Sequence, residues 1–325
     1  MSTKQQVICI LEEHRGSWVS GERIATELGV SRASVWKAVK ALRDAGYDIE
    51  GASNKGYLLS DAGDPLSQVG IQHRLLPSYQ MRVEVHEEVS STITFVRERA
   101  EAGEPEGLVV VAGTQTAGRG RFGRPFFSPR DSGIYLSLLL RPRLTPKESG
   151  YLTSIAAVAV AEAIEKCVGK QALIKWVNDV YVDGRKVCGI LTEASFGMET
   201  GMLDYAVPGI GINVYQPEGG FPTDIAARAG VLVEERGSGL RNQLAAEVVN
   251  RFMSYYLHLS ERTFLEPYRA RSFVPGHDIE FTDGKIRASA YALEVDDNLR
   301  LRVRLGDGSE MYLQSGEVSI KVDPR

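Results

Sequence analysis

Three cysteines in a chain of 325 residues, Cys9, Cys167 and Cys188, are too few and too scattered for a disulfide framework or a Cys-x-x-Cys motif. They read as reduced thiols of a cytoplasmic protein, each packed as a small hydrophobe. The five histidines fall at no ligand spacing, so no structural zinc site and no other metal ligand set is named. Neither sign of charge dominates: 38 Lys and Arg against 42 Asp and Glu leave a net charge of −4. Nucleic-acid contact must then come from a local patch, not from the chain as a whole. The N-terminus, MSTKQQ, lacks the apolar run of a signal peptide. The most apolar helix pattern, residues 151–168, carries Glu162, Glu165 and Lys166 and reads as a buried core helix, so no membrane is implied as a partner. A nucleophile beside its base is missing too. No Ser-His or Cys-His arrangement suggests itself, which argues against triad hydrolysis.

What is present begins with three helical patterns in the first sixty residues. Val7, Ile8 and Leu11 mark one, and Ile24 and Leu28 mark a second that opens after Ser20. Gly29 turns the chain, Ser31 caps a third helix carrying Val35, Val39 and Leu42, and Gly46 closes it. Two short helices joined by a glycine turn are the helix-turn-helix arrangement. Residues 31–43 hold Arg32, Lys37, Lys40 and Arg43 and no acid. Two short alternating runs follow, with GASNKG and its Lys55 between them, as in a wing. Ser31, Arg32, Ala33, Ser34, Trp36, Lys37, Lys40 and Lys55 are the expected DNA-facing residues. A solvated basic face is the plainer alternative, but caps, turn, wing and one-sided charge agree on DNA binding. SDAGDP, residues 60–65, reads as a linker.

Beyond it strands and helices alternate to about residue 271. GLVVVAGTQ, GIYLSLLLRP, ALIKWV and YAVPGIGINV read as strands. VYVDGRKVCGILTEA reads as a hairpin turning at Asp183-Gly184, and EVSSTITFVRERAEAG as a polar turn entering a helix. This is a mixed α/β layer, not a strict βαβ repeat. The loop TQTAGRGRFGRPFFSP contains G-x-G-x-x-G at Gly118, Gly120 and Gly123. That pattern binds dinucleotides only where a helix starts behind it, and Pro125 and Pro129 leave no room for one. No acid stands about twenty residues on; Arg141 and Arg143 do. Gln115, the arginine loop, Lys175, Asn178, Asp179, Lys186 and Asn213 all fall at strand ends. Cations and amides without a nucleophile suit the joining of anions, as in nucleotidyl transfer.

GRGRFGR, KWVND, GRKVCGIL and GIGINV, in this order and after a winged helix, resemble the bifunctional biotin–protein ligases that also repress biotin operons. The resemblance covers nearly the whole chain. It implies an α/β (α+β) multidomain protein. A winged helix-turn-helix occupies residues 1–63 and a central mixed-sheet, class II synthetase-like ligase domain residues 64–271. Residues 272–325, whose alternating runs SAYALEV and LRLRVRL flank D-G turns at 283–284 and 307–308, form an SH3-like β-barrel. It further implies biotin and ATP as substrates, with Mg2+ arriving on the ATP. The partners implied are a biotin carboxyl carrier protein, operator DNA and a second copy of the chain, in a homodimer formed on adenylate binding. By similarity Lys186, Arg119, Arg121 and Asp179 are catalytic. Ser91, Thr92, Gln115, Gly118, Gly120, Gly189, Gly209 and Gly211 join Arg119, Arg121 and Lys186 around biotin. Arg124, Phe126, Lys175, Asn178 and Asn213 join Arg121 on the nucleotide side. The chain departs from the family at Ile93, where asparagine is common, and at Val177, where KWPND has proline. Lipoate–protein ligase and a biotin-sensing regulator without catalysis are the other readings.

Overall fold

The computed structural model of the chain describes residues 2–44, 47–60, 64–236, 239–282 and 286–320. Its N-terminal helices start where side-chain caps permit. Ser2 and Gln5 form a capping box at α1 (Thr3–Glu13). Ser20 accepts from the Arg23 amide at 3.0 Å to open α2 (Gly21–Leu28), which Gly29 ends in the left-handed region at φ 63°. The Ser34 amide donates to Ser31 Oγ at 3.1 Å as α3 (Arg32–Asp44) begins. Val7, Ile8, Leu11, Ile24, Val35, Val39 and Leu42 are buried in one cluster, as their spacing required. Strands β1 (Trp18–Val19), β2 (Ile49–Ala52) and β3 (Gly56–Leu59) pair in the order β1-β3-β2, and Lys55 sits in the β2–β3 turn. The stop expected at Gly46 lies outside the described residues.

The linker is shorter than its composition suggested. Residues 61–63 are outside the described residues, but Asp64 is fully buried in the central domain. Next come α4 (Gln68–Gln72), β4 (Arg82–Val89), α5 (Thr92–Glu101), β5 (Leu108–Gln115), β6 (Gly133–Leu138) and α6 (Gly150–Val168). They are followed by β7 (Leu173–Lys175), β8 (Asp179–Val182), β9 (Arg185–Phe196), β10 (Leu203–Asn213), α7 (Thr223–Ala226), α8 (Leu240–Tyr256) and α9 (Leu265–Arg271). One seven-stranded sheet runs β4-β5-β6-β10-β9-β8-β7, parallel at β4–β5 and antiparallel elsewhere. Alternate residues of β5 divide its two faces: Val109 and Val111 pack with α6 and α8, Leu108 and Val110 with α5. β4 is a correction. The stretch EVSST, read as a polar turn, begins as strand, because Glu88 and Val89 pair with Thr114 and Gln115. ALIKWV and GIYLSLLLRP contribute only three and six strand residues. The β8–β9 turn is as read, with Asp183 and Gly184 both at positive φ.

Strands β11 (Asp278–Thr282), β12 (Arg287–Val295), β13 (Leu301–Leu305), β14 (Glu310–Leu313) and β15 (Glu317–Ile320) pair antiparallel in the order β14-β13-β12-β11-β15. The D-G turn at 307–308 is present, with Gly308 at φ 86°; the one at 283–284 lies outside the described residues. A single hydrophobic cluster runs from the central sheet into this one. At the seam Trp176 Nε1 donates to the Leu299 carbonyl at 2.9 Å. No helix among the described residues is long and apolar enough to cross a membrane.

Candidate active site

Across the central sheet Gly189 on β9 faces Gly211 on β10. Their bareness has a spatial reason. A Cβ on Gly211 would lie 2.3 Å from the Phe126 ring, and one on Gly189 3.0 Å from it. Gly209, one step along the same face, would meet Ile93 at 2.4 Å. Phe126 and Ile93 therefore lie directly on backbone, and Phe126 is held edge-on by Tyr135 at 6.5 Å between centroids. Above this floor opens a cavity of about 430 Å³.

One end of the cavity is neutral. Thr92 donates through its amide and hydroxyl to Gln115 Oε1 at 2.9 and 3.2 Å, and Gln115 Nε2 donates to Ser128 Oγ at 2.9 Å. Both ends of the Gln115 amide are thus engaged by protein. Ser91 is 2% exposed, and its hydroxyl has no hydrogen-bond partner among the described residues. A buried hydroxyl in that state favours a polar ligand group.

The other end is charged. Lys186 Nζ and Asp179 Oδ1 approach to 2.6 Å as an ion pair, off the line that a hydrogen bond needs. Backbone hydrogen bonds fix the lysine on both sides, from its amide to the Arg228 carbonyl and from the Gly230 amide to its own carbonyl, each 2.8 Å. Burial pulls the Lys175 ammonium below its ordinary value; nearby Asp179 pulls it back and Lys186 opposes that. Asn178 holds the turn before β8 through Nδ2 to the Ile190 carbonyl at 2.8 Å. The Trp176–Val177 peptide in this turn is cis. Asn213 Nδ2 donates to the Gly230 carbonyl at 3.2 Å.

The arginine loop folds back on itself. The Gly120 amide donates to the Arg124 carbonyl and the Phe126 amide to the Gly118 carbonyl, at 2.7 and 2.9 Å. Phe122 stands at its tip in the left-handed region, 61% exposed. Extended chain follows in place of a helix, so the dinucleotide motif is only a coincidence of glycines. Each arginine reaches a different neighbour: Arg119 to Glu193 and Thr94, Arg121 to Asn178, Arg124 to Glu317. Burial also lowers the Arg121 guanidinium from its usual value.

The predicted ligand residues converge with one exception: all line this cavity but Gly118. Gly118 stands behind the wall, where a Cβ would meet the Phe126 carbonyl at 2.6 Å. Phe126 covers Gly189 and Gly211, two of the glycines expected to wall biotin. The sequence offered no sign of Phe221, Arg228 or residues 316–319, which also line the cavity. The last segment belongs to β15, far away in the chain, and no local pattern could assign it.

Residues 85–213 match the biotin/lipoate A/B protein ligase family and residues 3–58 an HTH domain. The bifunctional ligase/repressor BirA of Bacillus subtilis (strain 168) is 34% identical over 306 residues, covering 93% of this chain and 88% of that protein. The Escherichia coli (strain K12) protein of the same name is 33% identical over 258 residues, 79% of this chain and 77% of its own. This chain belongs to the bifunctional biotin ligase/repressor family. A solved biotin protein ligase from Aquifex aeolicus, in complex with biotin and ATP, superposes with a TM-score of 0.59 at 25% identity. It covers 74% of this chain and 99% of that one.

In a ligase/repressor the other functional face is the HTH domain. Ser31, Arg32, Ala33, Trp36, Lys37 and Lys40 are exposed along α3, with Ser34 partly so. Lys40 lies over the Trp36 ring and Lys55 over Trp18, at 5.8 and 5.6 Å. Arg32 makes an exposed contact, 3.5 Å to Glu22.

Proposed function

We propose that this chain joins biotin to ATP and then hands biotin to a lysine of a biotin carboxyl carrier protein. A carboxylate oxygen of biotin attacks the α-phosphorus, pyrophosphate leaves, and biotinyl-5′-adenylate remains. The acceptor lysine then attacks the acyl carbon and AMP departs. The observation that carries this reading is the joint placement, in one cavity, of an unpartnered buried Ser91 hydroxyl and the Lys186–Asp179 pair. The neutral end suits the polar ring of biotin; Lys186 neutralises the carboxylate and the reacting phosphate. Arg121 turns to the same anions, and Arg124, Lys175, Asn178 and Asn213 hold the nucleotide. Asp179 takes the proton of the incoming lysine. Among the described residues no group of three or more His, Cys, Asp or Glu could hold a metal ion. Magnesium enters on the triphosphate, where it would screen phosphate charge.

The same chain, in the cytoplasm, represses transcription as a homodimer that forms when the adenylate stays bound. Helix-turn-helix readers bind paired half-sites. Lys37→Ala is expected to weaken operator binding in a gel shift and to reduce the slope of log affinity against log salt by about 0.9 per half-site. Arg32→Ala weakens binding as well. Unchanged affinity and slope in both would remove α3 from the DNA interface.

The test of the enzyme is pyrophosphate–ATP exchange with biotin or lipoate and magnesium, which needs no acceptor protein. Exchange that depends on biotin supports the ligase. Exchange that depends on lipoate moves the site to the related acid. No exchange from folded protein that binds biotin leaves a sensor.

A further inference from the structure

We propose that Glu193 is a positioning residue: it anchors Arg119, and through it the loop 118–126, over the Ser91–Gln115 end of the cavity. This rests on reading the cavity as the biotin adenylation site. It gives Arg119 a role different from direct contact with the reacting groups.

The loop arginines differ in what holds them. Arg121 donates to the neutral Asn178 at 2.9 Å. Arg119 Nη2 lies 3.0 Å from Glu193 Oε1 and donates to Thr94 Oγ1 at 3.1 Å. Its two partners sit on β9 and α5, the elements that bear Gly189 and Thr92 and so build the wall beneath the loop. Glu193 follows Gly189 and Leu191 at alternate positions, on the strand face that carries the site. It is itself braced by Arg97 at 3.5 Å.

An anion entering the cavity can draw Arg121 away and leave behind an amide that water or substrate satisfies. Drawing Arg119 away would leave the Glu193 carboxylate short of its closer cation, a larger cost than leaving a neutral amide without its donor. Arg119 therefore stays with Glu193 as the ligand binds, and the loop closes by moving its Arg121 end while its Arg119 end is fixed. Both side chains of the pair remain partly exposed, 40% and 27%, which keeps the expected effect moderate.

The experiment loads full-length protein with labelled biotin and ATP, removes the excess, and follows release of the adenylate into unlabelled biotin. Glu193→Gln and Arg119→Ala are each expected to speed release about fivefold, and the double variant no more than either alone. KM for biotin rises with it while KM for ATP does not, a split that a general loss of structure would not give. Release at the wild-type rate from Glu193→Gln, or additive effects in the double variant, overturns the anchor. If Glu193→Gln loses its folded circular-dichroism spectrum, the cycle is run with Thr94→Val, and the same non-additivity decides. Wild-type protein that forms no biotin adenylate sinks the underlying ligase reading. Wild-type protein that forms it, with an unaffected Glu193→Gln, sinks the anchor alone.

Discussion

Lys186→Ala is expected to lower biotin-dependent pyrophosphate exchange about 10²–10³-fold, the cost of removing one preorganised charge from a transition state. The side chain has no other task of comparable weight. It opens β9 with backbone hydrogen bonds on both sides, and those survive truncation. Its ammonium lies 2.6 Å from Asp179 and 3.4 Å from the point where a Cβ of Gly189 would stand, so it overhangs the bare floor. Truncation removes the cation that biotin carboxylate and phosphate share. It also leaves Asp179 without its closest cation, facing two more anions. Repulsion adds to lost attraction, and both grow as water is excluded. Stability changes little, because a partly exposed ion pair contributes about 0–1 kcal/mol. The expected result is a folded, nearly inert protein. Lys186→Arg keeps the charge on a longer, planar head and is expected to recover only part of the rate. Exchange within tenfold of wild type in Lys186→Ala takes the lysine out of the reaction.

Much of this site was legible before any fold was known, because its parts are local. The hairpin that presents Lys186 turns at Asp183-Gly184, and both residues need positive φ. The glycines of GIGINV were expected to wall biotin; in the fold Ile93 and Phe126 lie against them. The prolines that ruled out a helix behind G-x-G-x-x-G did so by steric rules that hold in any context. The winged helix was equally open, since caps and apolar spacing act within a few residues.

What stayed hidden was long-range. Glu317 reaches Arg124 across 193 residues of chain, and no periodicity announces such a meeting. No local pattern marks Glu193, which the sheet sets beside Arg119. The end of β4 was missed because Glu88, Ser90 and Ser91 gave EVSST the composition of a polar turn. Its pairing with the buried β5 overrides that composition. The linker misled for the opposite reason. SDAGDP has loop composition, yet Asp64 within it is among the most deeply buried acids of the chain.

That acid underlies the largest stability effect expected here. Arg241→Ala should destabilise the protein by about 3–5 kcal/mol, the range for breaking a buried pair by removing one member. Arg241 opens α8 with no exposed surface. Its backbone amide donates to Asp64 Oδ2 at 2.9 Å, its Nε to the Asp64 carbonyl at 2.9 Å, and its Nη1 to the Gly133 carbonyl at 3.4 Å. Tyr215 adds a hydroxyl to the same Oδ2 at 2.7 Å. Alanine removes the cation and leaves the carboxylate buried. The midpoint of thermal unfolding is expected to fall by about ten degrees. Asp64→Asn in the same protein should return much of the loss, because a neutral amide in that place has no unpaired charge to bury. A shift of only a degree or two would mean that water reaches Asp64 when the arginine is gone. The loss should also travel. Asn242, the next residue, accepts from the Ser67 amide at 2.9 Å; Ser67 Oγ donates to Glu12 of α1 at 3.1 Å, and Glu12 is paired with Arg15 at 2.6 Å. The start of α8 thus holds the segment on which the winged helix rests. Arg241→Ala is expected to weaken operator binding at temperatures where the central sheet is still folded, although Arg241 lies outside the DNA-facing helix.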